Sequence, residues 1–186
     1  VLKPSLGGSG KNLHIIESEG ITSGILQSIM RVKGVDLAEE FVIQHHELMK
    51  LSPSGLNTIR VITQIDDKNE VKLIGARLRV SVDSPVDNLA AGNIVCLVDL
   101  DKGIVRSSGF YSDITKEPVE NHPITKLRLK DYQLPYWKET IELAITAAEK
   151  VKNQNKSVGW DIGISQTGPI LIEGNHDWCK LVWQLP

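Results

Sequence analysis

Apolar positions follow a helical period in two stretches of this chain. One series of apolar residues runs from Ile21 to Val32, and a second runs from Trp137 to Val151, each with gaps of three or four residues. This spacing places the side chains on one face of an α-helix. The second stretch begins just after Pro135, a residue well suited to a helix start. We therefore predict two amphipathic surface helices.

Most of the remaining apolar residues occur in short strand-like runs. These runs are FVIQHHEL, TIRVITQI, EVKLIGARLRV, NIVCLVDL, VGWDIGI and PILIEGN. Clusters of turn-forming residues separate several of them, including SPSGLN, DDKN and SQTG. Because short turns join antiparallel neighbours and the strands outnumber the helices, we predict an α+β fold with largely antiparallel sheet. In the first run, Phe41 and Ile43 are expected to face the core.

The bulk composition argues against disorder and against a strongly charged partner. Of the 186 residues, 41% are hydrophobic, and the net charge is -2. Such a chain buries a substantial core, and its charge favours neither nucleic acid nor a membrane surface. No apolar run in the sequence approaches the ~20 residues of a membrane span. Because Cys96 and Cys179 are too few for a disulfide scaffold, we expect a cytoplasmic protein.

The segment VGWDIGISQTGPILIEGNHDW predicts a β-hairpin. Two apolar strands flank a turn of Ser, Gln, Thr, Gly and Pro, and the simplest pairing is centred near Thr167. With that centre, Ile162 faces Ile172 and Ile164 faces Ile170. These isoleucines would then line the buried side of the sheet.

The same pairing collects oxygen-bearing side chains on the opposite side of the hairpin. Asp161 would lie directly opposite Glu173, and Asn175 would share their face because strand side chains alternate. Two opposed carboxylates repel each other, and a bound cation would remove that conflict. Carboxylate and amide oxygens suit Mg²⁺ or Mn²⁺, as one ion or a pair. The alternative is an exposed hairpin whose acidic residues are simply solvated.

A glycine-rich stretch, GGSGKN, lies near the start of the sequence. It matches neither the common nucleoside-triphosphate loop nor the dinucleotide fingerprint. Its glycines would still allow backbone N–H groups to approach phosphate oxygens, and Lys3 and Lys11 would add positive charge. The alternative is an ordinary flexible turn between two strands.

Two further groups of residues are candidates for ligand binding. His45 and His46 are adjacent, so on a strand they would point to opposite faces and would not form one metal site. Backbone groups at that position could meet an adenine edge; half-exposed histidines without a role are the alternative. Arg60, Arg77 and Arg79 occur in apolar strands, and Arg77 and Arg79 share a face. They are either surface cations or phosphate contacts.

Taken in chain order, these features resemble the ATP-grasp superfamily. The sequence stretches that carry the resemblance are VLKP, the glycine loop, EEFVIQHH, TIRVIT, VDNLAAGN, GWDI and IEGN. The chain looks especially similar to the sugar-transfer associated ATP-grasp family, which is related to alpha-L-glutamate ligases. This resemblance implies two α+β lobes with largely antiparallel sheets: a small lobe over 1–50, with the loop and an adenine hinge, and a large lobe over 51–186, with the metal site. Relatives carry a further N-terminal region, which we expect this chain to lack.

The resemblance also implies roles for individual residues. The cofactors would be ATP and Mg²⁺ or Mn²⁺. The implied ATP-binding residues are Lys3, Gly8, Ser9, Gly10, Lys11, Gln44, His45, His46 and Glu47. The implied catalytic residues are Arg60, Asn88 and Arg77, with Arg79 less securely placed. The implied metal ligands are Asp161, Glu173 and Asn175.

The chemistry implied by the resemblance is ATP-dependent joining of a carboxylate to an amine through an acylphosphate. The substrates would be small or sugar-linked acids and amines used in assembling cell-surface polysaccharides. Two alternatives stay open: an ATP-grasp phosphotransferase acting on a hydroxyl, and a nucleotide-binding fragment without catalysis. The chain has Gly92 followed by Asn93 where relatives usually have two glycines, a difference on the acceptor side of the site.

Overall fold

The chain divides into two compact units, Val1–Val42 and Ile43–Pro186. The predicted lobe boundary at residue 50 stays a prediction, because a compact unit need not coincide with an ATP-grasp lobe. The computed structural model of the protein describes residues 1–6, 12–85, 88–178 and 180–184.

The first unit contains one helix and a small sheet. Strands β1 (Leu2–Lys3) and β2 (Leu37–Ala38) pair antiparallel, and helix α1 spans Ser23–Lys33. Thr22 caps the helix start through its hydroxyl, and Gly34 ends the helix at φ 66°. The first predicted helix is therefore confirmed. Every residue of α1 is at least partly exposed, so its apolar stripe forms no buried core within the described residues.

The second unit is built on one antiparallel sheet. Its strands are β3 (Thr58–Ile65), β4 (Val71–Val80), β5 (Ile94–Val98), β6 (Phe110–Tyr111), β7 (Ser157–Ser165) and β8 (Gly168–Asn175). Its helices are α2 (His46–Leu51), α3 (Trp137–Val151) and α4 (Lys180–Gln184). The strand order is β6-β5-β4-β3-β7-β8, and every neighbouring pair is antiparallel. The predicted α+β class and antiparallel sheet are confirmed.

One face of this sheet forms the hydrophobic core with α3. Strand residues such as Ile59, Leu78 and Ile162 are fully buried there, and the helix contributes Ala144 and Ala148. The helix follows the predicted apolar series from Trp137 to Val151, so the second predicted helix is also confirmed. Because strand side chains alternate, the residues between these core positions project from the opposite face.

The predicted strand FVIQHHEL is wrong. Phe41 and Ile43 are largely exposed, and His46 begins α2. The physical reason is local: the ring nitrogen Nδ1 of His45 accepts a hydrogen bond from the backbone N–H of Glu47 and caps the helix. Among the described residues this segment forms a single antiparallel bridge, from Gln44 to the hairpin that β7 and β8 build.

The register of the β7–β8 hairpin is partly as predicted. Asp161 lies opposite Glu173, which confirms the central pair. The register then shifts by one residue between Asp161 and Ile162, so Ile162 faces Leu171, and the predicted Ile162–Ile172 and Ile164–Ile170 pairs are wrong. The cause is an extra residue in β8, a β-bulge, together with a turn that pairs Ser165 with Gly168.

None of the helices in the described part of the chain combines the length and the apolar character that crossing a bilayer requires.

Candidate functional site

A row of directly opposed residues crosses the second face of the sheet. The row runs through Leu97, Arg77, Arg60, Asp161 and Glu173, on β5, β4, β3, β7 and β8 respectively. Opposed residues in an antiparallel sheet project to the same side. The structure thus brings together three residues that the sequence placed in the phosphate and metal sites, namely Arg60, Asp161 and Glu173, with Arg77 beside them. We call this the arginine face.

Asp161 is held by two arginines at the centre of the arginine face. Its side chain is almost completely buried, at 1% exposure. Arg60 donates from Nε to Oδ1 and from Nη2 to Oδ2, the latter at 2.8 Å. Arg79 donates from Nη2 to Oδ2 at 3.0 Å, and it also donates to the hydroxyl of Thr58. Two guanidinium groups therefore share one carboxylate through charge-assisted hydrogen bonds.

Arg77 adds a third buried guanidinium to the arginine face. It is 7% exposed, and it donates from Nη1 to the carbonyl of Ala76 and from Nη2 to the carbonyl of Trp183, both at 3.1 Å. Its Nε is buried and has no hydrogen-bond partner in the described part of the chain. Burial lowers the pKa of Arg77. An anionic ligand would give this buried Nε a hydrogen-bond acceptor.

Glu173 and Asn175 lie at the exposed edge of the arginine face. Both belong to β8, and the Asn175 amide donates to the Glu173 carboxylate at 3.2 Å. Asp161 lies directly opposite Glu173, but its two oxygens are occupied by Arg60 and Arg79. No group of three or more His, Cys, Asp and Glu side chains suited to a metal ion occurs among the described residues.

The donor chemistry of these residues fits a hard divalent cation. Two carboxylates and an amide oxygen on one sheet face are oxygen ligands, and Mg²⁺ bound to phosphates needs only one or two protein carboxylates. Glu173 and Asn175 are accessible without rearrangement. Asp161 becomes available as a ligand only when Arg60 turns its guanidinium elsewhere, for example to a phosphate oxygen.

Gln44 connects the predicted adenine hinge to the β7–β8 turn. Its side-chain oxygen is buried and accepts hydrogen bonds from the backbone and side chain of Asn57, at 2.6 and 3.0 Å. Its carbonyl accepts from the side chain of Gln166 at 3.1 Å, and the next backbone N–H, of His45, donates to the carbonyl of Ile164 at 2.7 Å. The hinge segment is therefore fixed against the hairpin turn, and the Gln44 side chain is used for packing the segment.

The histidines form a small aromatic cluster beside the same turn. The rings of His45 and His46 lie 4.3 Å apart, and Tyr136 meets His45 edge-on at 5.7 Å. His46 contacts the side chains of Gln166, at 3.2 Å, and Glu47, at 3.1 Å. Burial, and then the neighbouring His46, lowers the pKa of His45. A hydrogen bond from Lys50 lowers the pKa of Glu47. A flat base could stack on this cluster.

The remaining predicted ATP contacts belong to the first unit. Lys3 pairs with Glu39 at 2.8 Å and is partly buried. The predicted loop residues Gly8, Ser9, Gly10 and Lys11 lie outside the described residues.

Asn88 lies in the connection between β4 and β5. Its side-chain oxygen accepts from the backbone N–H of Ala90 at 3.1 Å and caps a single turn of 3₁₀-helix, Leu89–Ala91. Its carbonyl accepts from the side chain of Asn93, which is buried and also accepts from the backbone N–H of Val82 at 2.7 Å. Asn93 therefore ties the two ends of this loop together.

Sequence reasoning missed the residues that cover the arginine face. Trp178 lies over Gly159 and Trp183 lies over Gly75, so that a Cβ atom at either glycine would collide with the tryptophan. A glycine within a strand signals such a close approach of another group. Both glycines were visible in the sequence, but nothing in it identified the partner.

A buried polar network was also missed. The Ser52 hydroxyl donates to the carbonyl of Ser81 at 2.6 Å, and Nε2 of His122 donates to the same carbonyl at 2.9 Å. The backbone N–H of Ser81 donates to the side chain of Asn57 at 2.8 Å. These residues lie in loops, where apolar periodicity gives no signal, and they anchor the ends of β3 and β4.

Comparison with protein families assigns the class to which this fold and site belong. The family model described as sugar-transfer associated ATP-grasp matches residues 4–186. The chain therefore belongs to the sugar-transfer associated ATP-grasp family and is an ATP-binding ATP-grasp domain. Neither the curated proteins nor the solved structures include a match to it.

Proposed function

We propose that this domain is a Mg²⁺-dependent ligase that joins a carboxylate to an amine through an acylphosphate. The observation that carries the proposal is the arginine face, where Arg60, Asp161 and Glu173 are aligned across three neighbouring strands. Membership of the ATP-grasp family supports ATP as the energy source. Positive and negative side chains side by side suit a phosphate with its cation.

The proposed reaction has two steps. A carboxylate oxygen of the acid attacks the γ-phosphorus of ATP, the bond from that phosphorus to the β–γ bridging oxygen breaks, and ADP leaves. The amine nitrogen then attacks the acyl carbon, inorganic phosphate leaves, and the amine gives up a proton as the amide forms. Both steps depend chiefly on positioning and on stabilising developing charge.

The residues of the arginine face have distinct roles in this proposal. Arg60 exchanges its bond to Asp161 for one to the transferred phosphoryl group, where it stabilises charge in the transition state. Glu173 and Asn175, joined by the Asp161 oxygen that Arg60 releases, would hold the cation. Bound Mg²⁺ would supply charge neutralisation at the phosphates.

A covalent route through the buried cysteine is not supported by its environment. Cys96 is buried in the core, and burial raises its pKa to about 12. The thiolate is the reactive form of cysteine, so a thiol with this pKa is a poor nucleophile. Direct attack by the substrate carboxylate requires no protein nucleophile.

The substrates and the pathway can be proposed only as broad classes. The family description, sugar-transfer associated, supports sugar-linked or small acids and amines as substrates and cell-surface polysaccharide assembly as the pathway. We place the activity in the cytoplasm because its proposed substrate is ATP.

The proposal is tested by trapping the acylphosphate. The full-length protein is incubated with Mg²⁺, ATP, hydroxylamine and a panel of carboxylic acids, while ADP and hydroxamate are both measured. The ligase proposal predicts hydroxamate in step with ADP, and loss of both in Glu173→Gln. Glu70→Gln is the matched control, since Glu70 is exposed and its side chain pairs with Lys72. ADP with a phosphorylated hydroxyl product and no hydroxamate would contradict ligation and identify a phosphotransferase.

A further inference from the structure

The C-terminal end of the second unit covers the arginine face. We call Trp178 together with α4 the C-terminal cover. Trp178 donates from its indole N–H to the hydroxyl of Ser157 at 3.0 Å, and its ring meets the ring of Trp183 edge-on at 6.4 Å. The next residue back from Trp183, Val182, is buried among Leu89, Val95 and Phe110. The cover is thus attached by an indole hydrogen bond at one end and a small apolar cluster at the other.

Two strand glycines make room for this cover. A Cβ atom on Gly159 would lie 2.7 Å from the Cβ of Trp178, which is closer than such atoms approach in proteins. A Cβ atom on Gly75 would overlap the six-membered ring of Trp183. The sheet is therefore shaped to let both tryptophans lie directly against it.

Beneath the cover, the guanidinium edge of Arg77 that carries Nε and Nη2 makes one hydrogen bond within the described residues. A guanidinium group binds a carboxylate best through two parallel N–H groups. On Arg77 the edge formed by Nε and Nη2 has only one bond, from Nη2 to the carbonyl of Trp183, while Nε is unpartnered within the described residues. Arg60, one strand away, uses the same edge fully, with Nε and Nη2 on the two oxygens of Asp161. The chain itself therefore shows how this edge takes a carboxylate.

The surroundings of Arg77 favour a carbon-bearing acid over a phosphate. The guanidinium lies 4.5 Å beneath the centre of the Trp183 ring, and the adjoining part of the cover is the apolar cluster around Val182. Apolar groups beside a guanidinium suit a ligand that carries hydrocarbon next to its carboxylate. Phosphate, which is strongly hydrated on all sides, has less to gain there.

We propose that Arg77 and Trp183 form a carboxylate-binding site, in which a ligand carboxylate takes the Nε–Nη2 edge and displaces the Trp183 carbonyl. The Trp183 ring then lies over the bound group as its cover. The proposal rests on the proposed function only for the identity of the ligand as the acid substrate; the site itself is argued from the contacts of Arg77.

The site is tested by fluorine NMR of the protein labelled with 5-fluorotryptophan. The chain has 4 tryptophans, so single substitutions assign each signal. The labelled protein is titrated with succinate, acetate, phosphate and chloride at constant ionic strength and without ATP. We expect succinate and acetate to shift the Trp183 signal in a saturable way, while chloride and phosphate do not. A saturable response to phosphate as strong as that to succinate would overturn the carboxylate assignment, and so would the absence of any saturable shift.

Two substitutions of Arg77 test whether its guanidinium edge causes the shift of the Trp183 signal. In Arg77→Gln the succinate response should disappear, and in Arg77→Lys it should weaken at least about tenfold, because lysine lacks the planar fork. If Arg77→Gln fails to fold, the lysine variant decides. Arg106→Gln is the matched control, since Arg106 is half-exposed and pairs with Asp99. An unchanged succinate response in Arg77→Lys would contradict the proposal.

The two proposals fail in different ways. If the ligase proposal is wrong, hydroxamate does not form but succinate still shifts the Trp183 signal. If the Arg77 site is wrong, the signal does not respond even where hydroxamate is formed.

Discussion

Arg60 and Asp161 face each other across β3 and β7, and the guanidinium of Arg60 spans both oxygens of the Asp161 carboxylate. The sequence analysis predicts different ligands for these residues: by resemblance a phosphoryl group for Arg60, and a metal ion for Asp161. Their mutual bond means that each is the other's partner before a ligand arrives. Binding of phosphate and cation would then be coupled, because each ligand releases the residue that the other needs.

The first prediction concerns the stability contribution of this buried pair. Replacing Asp161 with Asn removes the buried carboxylate that both Arg60 and Arg79 contact. Removing one partner of a buried ion pair typically costs about 3 kcal/mol in the free energy of unfolding. Urea denaturation of Asp161→Asn should show a loss of that order. Glu173→Gln, at the exposed edge of the same face, should change stability by under about 0.5 kcal/mol; a similar loss in both variants would mean that burial of Asp161 is not the cause.

The second prediction concerns the glycine beneath Trp178. In Gly159→Ala the new methyl group must push Trp178 away, so the C-terminal cover should loosen. We expect a loss of about 1–3 kcal/mol and a more exposed Trp178, read by fluorescence quenching. Gly24→Ala in α1 is the matched control, since the added methyl would lie 4.0 Å from the Thr22 hydroxyl, an ordinary contact, and alanine favours a helix. Unchanged quenching in Gly159→Ala would contradict the close packing of Trp178.

The third prediction concerns the anchor of the hinge segment. Gln44→Ala removes the acceptor for two donors of buried Asn57. The Asn57 side chain still donates to the carbonyl of Ser52 at 3.1 Å, but its buried backbone N–H loses its acceptor. That loss should cost about 1–3 kcal/mol, measured by thermal or urea unfolding. Gln64→Ala makes the same change at an exposed position of β3 and should be near neutral. Equal effects of the two substitutions would show that the Asn57 contacts contribute nothing.

The fourth prediction is a pH dependence that arises from His45. The pKa of His45 is lowered below its ordinary value of 6.5 in the folded chain, chiefly by burial. As the pH falls through 6.5, the unfolded chain takes up this proton before the folded chain does, so the free energy of unfolding decreases. Protonation also removes the Nδ1 acceptor that caps α2.

Urea denaturation between pH 7.5 and 5 measures this dependence. His45→Asn keeps a side-chain oxygen for the helix cap but does not titrate. The wild type should lose more stability than this variant over the acidic half of the range. If the free energy of unfolding changed with pH in the same way in both proteins, His45 would not contribute to the pH dependence.

The sequence predicted the parts of this fold that depend on local periodicity. TIRVITQI corresponds to β3 residue for residue, and the opposition of Asp161 and Glu173 followed from a period of two around a short turn. The register beyond that pair was missed because a β-bulge in β8 adds one residue without a distinct sequence signal.

The missed parts of the site depend on contacts between distant residues. The bond between Arg60 and Asp161 joins positions 101 residues apart. Each residue had a predicted ligand of its own, so nothing in the sequence indicated that they pair with each other. FVIQHHEL was misassigned because the cap of α2 is a histidine ring, whereas serine, threonine, aspartate and asparagine are the usual signals. The C-terminal cover of the arginine face could not be predicted for the same reason, because its contacts also join residues that are distant in the sequence.

In the proposed function, Glu173 and its neighbours hold a cation that ATP binding requires. The most direct test is calorimetric titration of ATP into the protein, with Mg²⁺ and with EDTA, for the wild type, Glu173→Gln and the control Glu70→Gln. We predict ATP binding that needs Mg²⁺ and is at least about tenfold weaker in Glu173→Gln, with Glu70→Gln unchanged. Equal ATP affinity with Mg²⁺ and with EDTA, unaltered in Glu173→Gln, would contradict it.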